Sequence, residues 1–219
     1  MQGDVLSLKA YIGFDRREAE AYRVAAKTLR TTSGIEAEAL NVDELRSRGL
    51  FYRPVDERAN QHYDFVSNKH ASTDFAISRF LVPLLCQGGW ALFADSDVVF
   101  LRDVRELLGL ADSRYAVQVV KHDFTPVESL KMDNQPQSPY ARKAWSSVML
   151  FNVSHPANRR LSLHDVNTRT GLWLHQFGWL HDSEIGDLPA EWNWLVGEQP
   201  KPDHPAIAHF TKGGPFIPG

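Results

Sequence analysis

The sequence is poor in cysteine, and this shortage limits the chemistry that it can carry. Its 219 residues include one cysteine, Cys86. The chain therefore has no internal disulfide and no multi-cysteine metal site. Cys86 ends an apolar run that starts at Phe80, which indicates a buried core thiol rather than a nucleophile. A single cysteine fits a reducing compartment, and we expect a cytoplasmic protein.

An excess of positive charge is also missing. The chain has 24 lysines and arginines against 27 aspartates and glutamates, which gives a net charge of −3. A general basic surface is what holds a nucleic-acid backbone, so we expect no nucleic-acid partner. A local basic pocket remains compatible with this charge.

Long hydrophobic stretches are absent as well. The best candidate, residues 80–94, lacks formal charge but contains Pro83, Gly88 and Gly89. It is shorter than the ~20 residues that a helix needs to span a bilayer. The N-terminus carries Asp4 and Lys9 and does not resemble a signal peptide. We therefore expect no integral membrane segment.

The patterns that are present predict an α/β fold. Hydrophobic residues make up 43% and charged residues 23% of a chain whose length suits one domain. A strand is predicted over residues 6–12, a helix capped by Asp15 follows, and a second strand is predicted over residues 35–40. This strand–helix–strand order favours a mainly parallel mixed sheet flanked by helices.

Further elements are predicted along the chain. Residues 50–71 look like a long loop, and residues 72–85 like a helix kinked at Pro83. Strands are predicted over residues 90–94, 98–101, 115–120 and 148–151.

Asp95 and Asp97 are the most informative residues because they interrupt an apolar run. Five apolar residues precede them and four follow. Burying two carboxylates together is costly, so a positive group must lie nearby. A divalent cation in the turn after the strand would satisfy both, at the sheet edge where open α/β folds bind ligands. Alternatively, the two aspartates cap the next turn or pair with an arginine.

These residues resemble the signature of glycosyltransferases with the GT-A fold, closest to family 8, which includes glycogenin and bacterial lipopolysaccharide galactosyltransferases. The resemblance spans most of the chain. The matching segments, in chain order, are residues 11–15, 72–80, 95–103, 145–152 and 209–216. It implies one GT-A-like (Rossmann-like) domain over residues 1–219, with a nucleotide-binding part at roughly 1–120 and an acceptor-facing part at roughly 121–219.

The resemblance also implies a function and a metal site. The protein would move a hexose from a nucleotide diphosphate sugar, UDP-linked, to an acceptor hydroxyl with retention. Asp95, Asp97 and His209 would bind Mn²⁺ or Mg²⁺, whose preferred ligands include such oxygen and imidazole donors. The ion would neutralise the diphosphate leaving group.

The donor contacts that the resemblance implies are distributed over the whole chain. The residues expected to contact the nucleotide sugar are Tyr11, Gly13, Asp15, Arg79, Ser96, Ser146, Ser147, Lys212 and Gly213. The alternatives are a core aromatic for Tyr11, a turn glycine for Gly13 and a helix cap for Asp15. Arg79 is expected at the acidic pair or the diphosphate, with a surface position as the alternative.

Three segments depart from the family pattern. Ser146 and Ser147 stand where the family has asparagine and glycine, and Lys212 lies before the glycine rather than after it. Asp182 keeps the first acid of the family's Asp-Gln-Asp segment, and we expect it to contact the donor sugar or stabilise the transition state. Capping of the following turn is its alternative.

Some residues receive no assigned role. The sequence leaves His122, Asp123 and Glu184 open. Five of the six tryptophans lie beyond residue 144. Two roles are open for them, stacking on the sugar rings of an acceptor and packing in the core. For Trp192, Asn193 and Trp194, which resemble a structural turn of the family, we expect packing.

Two other functions compete with this interpretation. A haloacid-dehalogenase-type phosphatase would use Asp95 as its nucleophile, but that residue usually follows the first strand. A non-catalytic sugar- or nucleotide-binding module would explain the altered serine positions.

Overall fold

A computed structural model describes residues 8–56, 62–122, 142 and 144–213. The strands in these ranges are β1 (Leu8–Gly13), β2 (Glu38–Leu40), β3 (Val55–Asp56), β4 (Tyr63–Asp64), β5 (Lys69–His70), β6 (Trp90–Ala94), β7 (Val98–Phe100), β8 (Val117–Val119), β9 (Val148–Asn152), β10 (Ile185–Asp187), β11 (Trp194–Leu195) and β12 (Ile207–His209). The α-helices are α1 (Ala19–Ser33), α2 (Val42–Ser47), α3 (Val82–Leu85), α4 (Leu107–Leu110), α5 (Leu163–Thr168) and α6 (Gly171–His175).

Short 3₁₀ helices join many of these elements. They cover Arg16–Glu18, Ser78–Leu81, Val104–Glu106, Trp145–Ser147, Pro156–Arg160, Asp182–Glu184 and Ala190–Asn193. None of the helices in the described ranges has both the length and the apolar character needed to cross a membrane.

The central sheet has the strand order β10-β8-β9-β6-β1-β2. All neighbouring pairs are parallel except the two that involve β9, which runs antiparallel to β6 and β8. The prediction of a mainly parallel mixed sheet flanked by helices is therefore confirmed.

Alternate side chains of the buried strands fill a core on each face of this sheet. In β6, Leu92 packs on the face that holds Ala25 and Leu29 of α1, whereas Phe93 packs on the face that holds Phe80. Successive side chains of a strand point to opposite faces, so one strand serves both cores. Full burial of a side chain like Phe93 contributes about 1.5–3 kcal/mol.

A second sheet pairs β12, near residue 208, with β7, near residue 99. Its strand order is β11-β12-β7, with β12 antiparallel to β7. The register pairs His209 with Val98. Because Val98 directly follows Asp97, this pairing sets a histidine from the end of the chain beside the acidic pair.

Two predictions for the first half of the chain are wrong in detail. The predicted loop 50–71 contains the three-stranded ribbon β3-β4-β5. The predicted helix 72–85 is a 3₁₀ helix, Ser78–Leu81, followed by the short α3. Pro83 lies in the first turn of α3, where a missing N–H costs nothing, rather than kinking a longer helix.

Candidate metal and donor site

The acidic pair lies in the turn between β6 and β7. Asp95 follows Ala94 at the carboxyl end of β6, and Asp97 precedes Val98 of β7. Both carboxylates are largely buried, with side-chain exposures of 17% for Asp95 and 27% for Asp97. Since the pair is in a turn rather than a strand, its side chains do not alternate between faces and both face His209.

His209 contacts both acids. Its Nε2 atom is 3.1 Å from Asp97 Oδ1 and 4.0 Å from Asp95 Oδ2. The strand pairing continues past it, because the Phe210 N–H donates to the Asp97 carbonyl at 2.9 Å. The position of the imidazole is therefore determined by the backbone of β7.

The three side chains have the composition of a divalent-metal site. Within the described part of the chain, they are the group in which three ligand atoms lie within 4.8 Å of one another. Asp95 Oδ1 is buried and has no hydrogen-bond partner among the described residues. Two carboxylates and one imidazole nitrogen fit Mn²⁺ or Mg²⁺.

Arg79 is the cation that balances this cluster. It is 5% exposed, and its Nη1 lies 2.8 Å from Asp95 Oδ1 while donating to the Ser146 carbonyl at 2.9 Å. The guanidinium packs over the rings of Phe75 and Phe93. Arg79 is therefore fixed at the acidic pair and is not a surface arginine.

Burial dominates the electrostatics of the site. It raises the pKa of Asp95 to about 6, with Arg79 and His209 opposing the rise and Asp97 adding to it. Burial also acts to raise the pKa of Asp97, but His209 outweighs it and the pKa is lowered. Burial lowers the pKa of His209, but Asp97 overcomes this and the pKa is raised. Without a metal, His209 and Asp97 thus form a charged pair.

Asp15 and Ser96 use their side chains within the protein. The Asp15 carboxylate is fully buried, pairs with Arg17 at 2.6 Å and accepts the Asp74 N–H at 3.0 Å. Ser96 donates its hydroxyl to Glu18 at 2.7 Å. The predicted cap at Asp15 is present, since its carboxylate accepts the Arg17 N–H. Glu18 binds the acidic turn instead of closing a capping box.

Tyr11 and Gly13 face the core of the sheet. Tyr11 is 1% exposed, and its hydroxyl contacts the Cys86 sulfur at 3.3 Å. A Cβ atom at Gly13 would lie 2.3 Å from the ring of Phe75. The glycine thus makes room for an aromatic side chain beneath the carboxyl end of β1.

Ser146 and Ser147 are both buried and point inward. The Ser146 hydroxyl lies 2.7 Å from His175 Nδ1, whereas the Ser147 hydroxyl donates to the Ala144 carbonyl at 2.7 Å. The Asp95 N–H donates to the Ser147 carbonyl at 2.9 Å because β9 pairs with β6. This serine pair therefore supports the acidic turn from behind.

Asp182 lies in the 3₁₀ helix Asp182–Glu184, directly before β10. Its side chain is 91% exposed and pairs with Arg142, which also packs over the Trp145 ring. The Glu184 side chain pairs with Arg160 and caps its own turn by accepting the His181 N–H at 2.7 Å. Lys212 and Gly213 are exposed in the turn after β12, and Asp123 lies outside the described residues.

Sequence reasoning missed three polar residues that surround the cluster. Glu18 binds Ser96, His175 binds Ser146, and Asn193 binds His209. Asn193 carried the one usable signal, since it is an uncharged polar residue between two tryptophans. Trp192 and Asn193 are both buried, as expected for packing, and Asn193 in addition hydrogen-bonds to His209.

Solved structures with the same fold are glycosyltransferases. The bifunctional glycosyltransferase WbbM matches with a TM-score of 0.57 and 16% identity over 94% of this chain, which spans 46% of WbbM. Mouse xyloside xylosyltransferase 1 matches with a TM-score of 0.55 and 11% identity, covering 93% of this chain and 97% of that one. The galactosyltransferase LgtC matches with a TM-score of 0.51 and 13% identity, covering 94% and 87%. The chain therefore has the GT-A fold.

A closer relative exists among characterised sequences, although no protein-family model matches. Protein CDI of Arabidopsis thaliana is 41% identical over 217 residues, which cover 95% of this chain and 79% of that protein. Identity at this level over nearly the whole chain shows common descent. The chain belongs to the same family as Arabidopsis Protein CDI, and this family has the GT-A fold.

Proposed function

We propose that this protein is a metal-dependent glycosyltransferase that moves a hexose from a UDP-sugar to an acceptor hydroxyl, with retention. The observation that carries the proposal is the cluster of Asp95, Asp97 and His209 at the carboxyl end of β6. This is the sheet edge where α/β folds place their ligands. The LgtC structure holds donor and acceptor sugar analogues, and we propose the same two-substrate arrangement here.

The cluster would bind the diphosphate end of the donor. Asp95, Asp97 and His209 would hold Mn²⁺ or Mg²⁺, which supplies positive charge to the diphosphate as it leaves. Arg79 cancels part of the negative charge of Asp95 and keeps that carboxylate in place. Burial raises the pKa of Asp95 to about 6, so its charged form is disfavoured, and a bound cation would stabilise it.

A small cleft at the carboxyl ends of β1 and β2 would take the nucleoside. The lining residues are Phe14, Arg16, Asn41, Val42, Asp43, His62 and Asp74. Aromatic, amide and carboxylate groups of this kind can stack on a base and bind a ribose. Asp15 accepts the Asp74 N–H and pairs with Arg17, and these contacts hold Asp74 at the edge of this cleft.

Asp182 is our proposed catalytic residue. Its exposed carboxylate is oriented by Arg142, so it is available to bind donor-sugar hydroxyls or to stabilise positive charge at the reacting carbon. The exposed Lys212 and Gly213 are proposed to meet the phosphates.

The phosphatase alternative is not favoured. Its nucleophile belongs at the end of the first strand, whereas Asp95 follows β6 of a GT-A fold. The second alternative, a non-catalytic module that binds sugar or nucleotide, would bind the same donor as the transferase without turning it over. Donor hydrolysis or transfer with Mn²⁺ supports the enzyme, and donor binding without turnover across several acceptors supports the module.

The Asp97→Asn variant tests the metal site. Because the variant loses a ligand charge, we expect Mn²⁺-dependent UDP binding to be abolished while the fold is retained. Calorimetric titration with UDP, with and without Mn²⁺, measures this, and circular dichroism checks the fold. Asp112→Asn, at an acid outside the site, serves as the matched control. Unchanged UDP affinity in Asp97→Asn would exclude the assignment.

A further inference from the structure

Asn193 connects His209 to the buried serine behind the acidic turn. It is fully buried in the 3₁₀ helix Ala190–Asn193. Its Oδ1 lies 2.9 Å from His209 Nδ1, and its Nδ2 lies 2.9 Å from Ser147 Oγ. Asparagine and glutamine are the two residue types whose side-chain amide offers one acceptor oxygen and two N–H donors, and asparagine is the shorter of the two.

The direction of these hydrogen bonds is determined by the serine. The Ser147 hydroxyl donates its only proton to the Ala144 carbonyl. Its oxygen therefore acts as an acceptor toward Asn193, and Nδ2 donates to it. The amide nitrogen therefore points to Ser147 and the amide oxygen to His209. An amide oxygen only accepts, so Nδ1 of His209 must carry a proton.

His122 supports the same amide orientation. Asn193 Nδ2 is 3.0 Å from His122 Nε2. Burial and the nearby His209 lower the pKa of His122 to about 4, so this imidazole is neutral and Nε2 is able to accept. Its Nδ1 lies 3.0 Å from Gln199 Nε2, so a neutral His122 accepts at Nε2 when the Gln199 amide is turned to present its oxygen to Nδ1–H. Both N–H groups of Asn193 thus have acceptors when its oxygen faces His209.

We propose that Asn193 is a positioning residue that holds His209 with a proton on Nδ1, so that Nε2 is the nitrogen that faces Asp95 and Asp97 and is available to a metal ion. This inference rests on the metal site proposed above. Histidine ligands commonly donate their second ring N–H to a fixed acceptor, which sets the tautomer and the ring orientation. Ser147, where the family pattern has glycine, serves Asn193 in this arrangement and not the donor sugar.

Metal affinity provides the first test. Asn193→Leu removes the acceptor with little change in volume, whereas Asn193→Asp keeps it. We expect Mn²⁺ affinity, measured by electron paramagnetic resonance, to fall about 10- to 100-fold in Asn193→Leu and to be largely retained in Asn193→Asp. The matched control is Asn167→Leu, because Asn167 is equally buried and hydrogen-bonded in α5, away from the cluster. Equal affinity in Asn193→Leu and the unchanged protein would overturn the proposal.

The proton on His209 Nδ1 provides the second test. Long-range ¹⁵N–¹H correlation spectra of the metal-free protein identify this N–H group and show whether it is protected from exchange with water. We expect a protected Nδ1–H in the unchanged protein, because Asn193 Oδ1 accepts it, and loss of this protection in Asn193→Leu. An absent Nδ1–H in the unchanged protein, or equal protection in both proteins, would overturn the proposal. If the unchanged protein bound no Mn²⁺, the proposed metal site would fail, and the spectra would still decide the role of Asn193.

Discussion

The pairs Arg53–Asp64 and Arg79–Asp95 are both buried, but they use their polar atoms differently. Arg53 binds both oxygens of Asp64, at 2.8 and 2.7 Å, and donates further to Val166, Arg169 and Ser67. Every one of these bonds ties the β3-β4-β5 ribbon to itself or to the end of α5. The polar atoms of this pair are used within the protein, and the pair holds the ribbon in place.

The second pair is left incomplete. Arg79 Nη1 lies 2.8 Å from Asp95 Oδ1 without the geometry of a hydrogen bond, and Arg79 Nε has no hydrogen-bond partner among the described residues. The difference suggests a rule for the role of a buried ion pair. A saturated pair stabilises the fold, whereas an unsaturated one retains capacity to bind a ligand.

The largest expected effect is on stability at the saturated pair. Asp64→Asn leaves the Arg53 guanidinium buried without a counter-charge, so we expect a loss of about 3–5 kcal/mol in the free energy of unfolding. Urea denaturation measures it. Asp112→Asn breaks an exposed pair with Arg114 and should change stability little. An equal loss in the free energy of unfolding in both variants would contradict the claim that the buried pair stabilises the fold more than the exposed one.

A smaller effect of opposite sign is expected at the incomplete pair. The pKa of Asp95 rises from 3.8 to about 6 in the folded protein, so its ionisation opposes folding at higher pH. Without metal, the unchanged protein should therefore lose stability relative to Asp95→Asn as the pH rises between these two values. At about pH 8 the variant should therefore be more stable by about 1–3 kcal/mol.

The same experiment with Mn²⁺ sharpens the comparison. The ion should stabilise the unchanged protein, because it binds only the folded state, and should leave Asp95→Asn unaffected. Denaturation in a chelator and in Mn²⁺ measures both responses. Lower stability of Asp95→Asn in the chelator would mean that Asp95 is part of a saturated pair after all.

The smallest effect concerns a histidine behind the incomplete pair. Burial, together with Arg79, lowers the pKa of His175 from 6.5 to about 3. The unfolded chain therefore binds a proton that the folded protein excludes, and stability falls as the pH falls below 6.5. We expect this histidine to account for about 1 kcal/mol over the first pH unit. His175→Gln should flatten the acid side of the stability profile, and an unchanged profile would contradict the assignment.

Local patterns predicted much of the sheet. The buried strand at residues 90–94, its partner at 148–151 and the first strand were all predicted, because runs of apolar residues bounded by polar turns are a local signal. The ribbon β3-β4-β5 was missed because its strands are two residues long and depend on Arg53, whose partners Val166 and Arg169 are more than 100 positions away.

The residues of the candidate site also differ in whether the sequence could predict them. Asp95 and Asp97 attract attention in the sequence because charge within an apolar run demands compensation. His209 was matched to them by family resemblance, and the structure brings all three together. Asn193 was assigned to packing, because a polar residue between two tryptophans stands out but does not identify the histidine that it binds.

The sequence by itself determined the α/β class, the central strands and the acidic turn, because these follow from periodicity and from the cost of burying charge. Only the tertiary structure decided that His209 faces Asp97, that Ser146 and Ser147 turn inward, and that Asn193 orients the imidazole. These facts depend on the pairing of β12 with β7 and of β9 with β6. Strand register joins residues that are distant along the chain, and no local pattern of residues specifies it.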